Sequence, residues 1–217
     1  LVLSIYLAQD QWRSVREVAK RVELWELSPE SQQQLDYSLA LAAENLDESE
    51  TAAPIWQKLY ESGALPPSQQ AYAAFFLARD AERERELEKA YSLGKEALNM
   101  LLEQSERNPN AADLGKIRTQ LSSLMDVAET AGRLREALGF AEQYLQYLPA
   151  QDTERTAVQY RMARIYRKQG NLDAWKTTLT DIAAKNPGTV YGQLASSELK
   201  AAAIAEDAAR YSPTGRI

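Results

Sequence analysis

Two pairs of side chains, Phe75 with Arg79 and Tyr160 with Arg164, set an aromatic ring and a guanidinium four residues apart, a spacing that puts both on one face of a helix. The ring supplies apolar contact area and the guanidinium a fork of donors that fits a carboxylate, which is the chemistry of recognising a peptide rather than of breaking a bond. Tyr72, Arg83, Arg167 and Lys168 extend the same two faces. Bond-making chemistry is poorly provided for. The chain has no cysteine and no histidine, which removes thiol nucleophiles, thiolate and imidazole metal ligands and every triad built on a histidine base. Glu82, Glu84, Glu86 and Glu88 interleave with Arg83 and Arg85 and read as a solvated, ion-paired helix surface, not as a general acid. Gly94-Lys95 and Gly115-Lys116 lack both the hydroxyl residue and the upstream glycine of a phosphate loop. Asp47, Glu48 and Glu50 lack the spaced oxygen ligands and central glycine of a calcium loop, and read instead as a turn followed by a negatively charged helix start. The expectation is a protein without enzymatic activity, metal or cofactor.

The elements that must carry these residues are helices. Of 217 residues, 45% are hydrophobic and 26% charged, enough to bury a substantial core. Lysine and arginine number 25 against 31 acidic residues, and the net charge of −6 opposes general binding to nucleic acid or anionic membranes. No apolar run approaches the roughly 18 to 20 residues of a membrane span. Glycine (9) and proline (8) are sparse and fall between long segments rich in Ala, Leu, Glu, Gln, Lys and Arg, while no stretch combines β-branched enrichment with alternation. Pro29, Pro66, Pro109, Pro149 and Pro187 each follow a helical pattern and recur at intervals of about 40 residues, a period that fits stacked two-helix hairpins. In the clearest one, Met162, Ala163 and Tyr166 share a face of a first helix, Gly170-Asn171 permits the turn, and Trp175, Leu179 and Ile182 form the stripe of a second helix. The same spacing recurs with Leu124, Met125, Ala128, Gly132, Ala137, Ala141 and Tyr144, and with Leu39, Ala40, Ala43, Asp47, Ala52, Trp56 and Leu59.

Periodicity predicts helices over 29–44, 50–62, 67–79, 85–105, 111–131, 134–145, 153–169, 172–185 and 190–209. Arg83 to Glu86 contains no helix breaker, so a turn there competes with one continuous helix. The interval from Ala90 to Ala137 exceeds its counterparts by about ten residues, which predicts a second helix extended by about two turns. Pro54 suits the first turn of a helix. The tryptophans at 12, 25, 56 and 175 read as core rather than as a sugar-binding platform, with Trp56 and Trp175 on second-helix stripes.

A bulky and small pair, a turn residue and a small residue opening the second helix, as in Leu-Met-x-x-Ala-x-x-x-Gly-x-x-x-x-Ala from Leu124 to Ala137, resemble the tetratricopeptide repeat (TPR). The resemblance implies an all-α, right-handed superhelix of stacked antiparallel helix hairpins. It would form one TPR-like solenoid over 1–211, with hairpins at 1–27, 28–66, 67–108, 109–151 and 152–189, a capping helix at 190–210 and a tail at 212–217. It also implies that first helices line a concave groove, in which Tyr37, Phe75, Ser122 and Tyr160 hold equivalent positions and Leu41, Arg79, Asp126 and Arg164 follow one turn on. The candidate groove residues are therefore Tyr37, Tyr72, Phe75, Arg79, Arg83, Tyr160, Arg164, Arg167 and Lys168. The implied function is that of a scaffold binding a protein or peptide, with an anionic segment suited to the arginines. The competing reading packs the tyrosines between adjacent hairpins and leaves the arginines to solubility. A further alternative is a helical accessory domain of a cell-wall enzyme or envelope assembly complex. The string from Asn186 to Ala195 is similar to repeat ends in bacterial envelope proteins, including outer-membrane assembly lipoproteins and the superhelical part of soluble lytic transglycosylases. That similarity implies the periplasm or cell envelope, although lack of cysteine suits the cytoplasm equally. The apolar opening from Leu1 to Ala8 reads as a start inside a helix, as in a processed or excised segment. Mixed surface charge and a covered last hairpin imply a monomer.

Overall fold

The computed structural model describes residues 2–22, 26–109 and 113–211, so Trp25, the expected helix start at Ala111 and the tail at 212–217 lie outside the described residues. Eleven helices follow one another: α1 (Val2–Ala8), α2 (Trp12–Val22), α3 (Pro29–Asn45), α4 (Ser49–Ser62), α5 (Pro67–Arg83), α6 (Leu87–Arg107), α7 (Leu114–Thr130), α8 (Leu134–Gln146), α9 (Glu154–Lys168), α10 (Leu172–Lys185) and α11 (Val190–Tyr211). No strand occurs among the described residues. Each segment expected from periodicity is present, with ends shifted by four residues or fewer. The chain divides into two compact units, Leu1–Val127 and Ala128–Ile217, the division falling inside α7.

One backbone device repeats along the chain. After α1, α3, α5, α7 and α9 comes a residue with positive φ: Asp10 (53°), Asp47 (58°), Arg85 (61°), Gly132 (74°) and Gly170 (75°). The amide that follows each donates to the carbonyl five positions earlier: Gln11 to Tyr6, Glu48 to Ala43, Glu86 to Ala81, Arg133 to Ala128 and Asn171 to Tyr166, all at 2.8 to 2.9 Å. The positive-φ residue's own amide donates three positions back. This Schellman ending satisfies the last carbonyls of one helix and reverses the chain within a few residues, so the next helix starts at once. The turns keep a nearly constant interval, except that the step from Arg85 to Gly132 is longer than the rest. The turn at 83–86 is therefore real, and it is made without glycine: Arg85 takes the left-handed conformation itself. The long interval is accounted for by α6, which has 21 residues against 14 in α4, 13 in α8 and 14 in α10.

Pro54 corrects one expectation. Because α4 already starts at Ser49, the proline is its sixth residue and lies beyond the first turn. It removes a single amide, and the helix continues past it to Ser62.

In the first unit the core is built from small residues on facing helices and a chain of aromatic rings. Ala40, Ala52, Ala73, Ala74 and Ala97 are fully buried, which lets the backbones approach closely, and Trp56 fills the space between hairpins. Trp56 is stacked on Phe76 at 4.9 Å and meets Tyr37 edge-on at 5.4 Å. In the second unit Ala163, Trp175, Leu179, Ile182 and Ala195 form the core, with Tyr160, Tyr166, Tyr191 and Leu199 against it. Trp175 is 4% exposed, as its stripe requires. Gly192 lets α11 pass the end of α10, because a Cβ there would lie 1.9 Å from the Asn186 carbonyl oxygen.

Candidate functional site

In the first unit the candidate residues sit on α3 and α5, and the core claims two of them. Tyr37 and Phe75 are 9% and 5% exposed, so neither presents its ring to a ligand. Phe75 packs edge-on against Phe76 at 5.3 Å, and the Tyr37 hydroxyl is pushed up to about 12 by burial. The groove assignment of these two rings is corrected: at their register position the side chain packs within the hairpin stack, as the competing reading holds. Tyr72 is half-buried, and its hydroxyl donates to Asp113 at 3.0 Å. The Lys116 ammonium lies 4.3 Å from the Tyr72 ring centre and 2.8 Å from Asp113. Desolvation works to raise the Asp113 carboxyl, yet bonds from Lys116 and Tyr72 hold it below the ordinary carboxylate range.

Arg79 and Phe75 do share a surface, as the four-residue spacing requires. The exposed guanidinium lies 5.8 Å from the Phe75 ring centre and 6.0 Å from that of Phe76. Beside it, burial pushes the half-buried Glu44 carboxyl up, while Arg79 and Arg83 work in the opposite direction. Arg83 is committed elsewhere: it bonds Asp80 at 2.9 Å and also donates to the Ser49 hydroxyl. It thereby ties the end of α5 to the start of α4 beside an acid-rich cleft of about 490 Å³ lined by Asp47, Glu48 and Glu50. The acidic trio is the turn and helix start that its sequence implies.

In the second unit the candidates gather on α9. Tyr160 is half-buried, its ring 5.4 Å from Tyr191 of α11, and its hydroxyl donates to Glu198 of the same helix. Burial and that bond push the hydroxyl up to about 12. Arg167 is 3.7 Å from Glu198 and lies over the Trp175 ring at 5.1 Å. Lys168 and Arg161 both bond Glu129, Arg161 at 2.9 Å. Desolvation opposes ionisation of Glu129, but the two cations together hold its carboxyl below the usual range. Arg164 differs from these neighbours. It is exposed and forms no ion pair among the described residues, and its charge acts on Tyr160 one turn earlier. The helix thus brings Tyr160, Arg164, Arg167 and Lys168 onto one region of surface, two of the cations held by the chain's own carboxylates and one unheld.

Glu129 and Glu198 are the site residues that sequence reasoning missed. Their signal lies in the period itself. Glu44, Glu82 and Glu129 each directly follow the alanine that accepts the turn bond, and Glu198 stands one repeat after Tyr160. Glu82 accepts from Ser123 at 2.7 Å and Glu129 from Arg161, which stands one repeat after Ser123, so one lateral link recurs between successive first helices within each unit.

No family model and no curated protein matches the sequence. Solved structures do. A Podosopora anserina protein with nearly identical kinesin light chain TPR-like repeats aligns with a TM-score of 0.55 and 16% identity over 84% of this chain and 90% of that one. BtubC (BKLC) from P. vanneervenii aligns with a TM-score of 0.55 and 14% identity over 100% of this chain and 96% of that one. At these identities the likeness concerns the fold, which is that of a TPR-like all-α solenoid of helix hairpins.

Proposed function

We propose that the chain is a non-enzymatic scaffold whose α9 face binds an acidic peptide or protein segment. The observation that carries this reading is Arg164: an exposed guanidinium without an ion-pair partner among the described residues, one helical turn after Tyr160 and followed by Arg167 and Lys168, in a chain of net charge −6. A carboxylate on a partner can take the fork of Arg164 without displacing a bond already made, and the two neighbouring cations raise the local potential. Tyr160 and Arg161 serve this face from beneath: the first braces it against Tyr191 and Glu198, the second fixes Glu129. Arg79 on α5 in the first unit is likewise an exposed guanidinium lying against a ring, but there the ring belongs to the core. Helical repeat surfaces serve many unrelated partners, so fold likeness names no ligand.

The test is capture under native conditions, with wild type and Arg164→Glu as parallel baits and mass spectrometry of what each retains. Proteins carrying acidic segments should be retained by wild type and lost from the charge-reversed bait. Identical sets on both baits would remove the α9 face from the account.

A further inference from the structure

Two carboxylates stand among the cations of the α9 face, and they are bonded very differently. Glu129 takes Lys168 on one oxygen and Arg161 on the other, so both oxygens are used and Lys168 is firmly engaged. Glu198, on α11, accepts from the Tyr160 hydroxyl on one oxygen, while its other oxygen is buried and takes no hydrogen bond among the described residues. Arg167 stands 3.7 Å from that second oxygen, close enough for an ion pair and too far for a hydrogen bond, and its side chain is 61% exposed. Water screens such a pair, which therefore holds its cation weakly. Arg167 does not depend on it for position, because the guanidinium already lies over the Trp175 ring at 5.1 Å. Nor does Tyr160 need the charge: its hydroxyl uses one acceptor oxygen, which a glutamine would supply as well. A buried acceptor without a donor works against the fold, so the second oxygen of Glu198 is not there for stability. Its charge is nevertheless set where those of Arg164 and Arg167 also reach, at the Tyr160 hydroxyl.

We propose that Glu198 is a built-in competitor of the ligand: it neutralises Arg167 in the free protein and so makes the α9 face select paired acidic side chains over single ones. The inference rests on the acidic-segment reading of that face and names what sets its selectivity. A ligand with one carboxylate takes Arg164 and is opposed by the charge of Glu198. A ligand with two carboxylates on one side takes Arg164 and also draws Arg167, three residues further along the same side of α9, away from its loose contact. Lys168 is not open to the same exchange, since Glu129 bonds it directly. Discrimination then comes from a repulsive group as much as from the attractive ones. A merely bracing role for Glu198 makes the opposite prediction, because a brace that is weakened cannot improve binding.

Fluorescence anisotropy tests it with two labelled, C-terminally amidated peptides of alanine and serine, one carrying a single glutamate and the other Glu-Ser-Glu, whose two carboxylates share a side of an extended chain. Wild type should bind the Glu-Ser-Glu peptide at least ~5-fold more tightly than the single-glutamate peptide, a comparison that needs no variant. Glu198→Gln keeps an acceptor for Tyr160 and removes the charge, and it should tighten binding of the Glu-Ser-Glu peptide about ten-fold. Arg167→Ala should cost wild type its preference for the paired acids, and in the Glu198→Gln background it should cancel most of the ten-fold gain, since both changes act through one guanidinium. Failure of all these proteins to bind either peptide would remove the acidic-segment reading and this inference with it. Binding to wild type without preference for the paired acids, Glu198→Gln binding no more tightly than wild type, or a gain that survives Arg167→Ala would each overturn the inference and leave that reading standing.

Discussion

Arg85 takes a backbone conformation that glycine adopts freely, at the turn position where Gly132 and Gly170 stand in later hairpins. The side chain gains no compensating bond that the turn needs, since the two turn bonds come from the backbone amides of Arg85 and Glu86. Arg85→Gly should therefore stabilise the protein by about 1 kcal/mol in urea unfolding, the usual gain where a helix ends in a left-handed residue. A loss of stability would mean that the arginine side chain holds the turn. Gly192 is the converse case. A methyl group there meets the Asn186 backbone carbonyl, which cannot swing aside as a long side chain would, so Gly192→Ala should destabilise by ~3 kcal/mol. Gly139→Ala, inside α8 with open space around it, is the control and should gain about 0.5 to 1 kcal/mol from helix propensity. Equal effects of the two alanines would remove the close approach at Gly192.

At the scale of the element, helix pairs were legible because each carries its own stripe and stop. Trp175, Leu179 and Ile182 announce one face of α10, and that face is buried. Truncating Trp175 to alanine should cost about 3 to 5 kcal/mol by loss of packing in the second unit, measured by denaturant unfolding. Unchanged stability would place the indole outside the core. The turn between α5 and α6 was not decided by residue type, because a left-handed arginine leaves no glycine signal. Only the pairing of Ala78 and Ala81 with Ala90 and Ala97 required it, and all four are buried. The site was less legible than the fold. A four-residue spacing correctly put Arg79 over Phe75, but it says nothing of depth, and Phe75 and Tyr37 are core. Glu129 and Glu198 escaped notice because a carboxylate on a helix surface looks alike whether it meets water or a neighbouring helix.

Across the whole molecule, packing leaves an electrostatic mark on three tyrosines. Tyr37, Tyr60 and Tyr160 are each pushed up to about 12, Tyr37 by burial, and the other two by burial followed by bonds to Glu96 and Glu198. Unfolded tyrosines ionise near pH ~10, so between that pH and about 12 the unfolded chain loses protons that the folded chain keeps. The stability these hydroxyls contribute is complete below pH ~10 and is lost as the pH rises through the folded values. Denaturant unfolding should therefore show falling stability from pH ~9.5 to ~11.5, with tyrosinate absorbance of the folded protein lagging that of the unfolded. A flat stability profile over that window would contradict it. The central claim concerns Arg164, and affinity tests it most directly. Once an acidic segment has been captured, its binding to wild type, Arg164→Ala and Arg135→Ala should be measured by calorimetry at two salt concentrations. The account predicts a loss of about 2 kcal/mol for Arg164→Ala, roughly a thirty-fold weaker complex, with Arg135→Ala close to wild type and all affinities falling with salt. Equal affinities for the three proteins at both salt concentrations would contradict it.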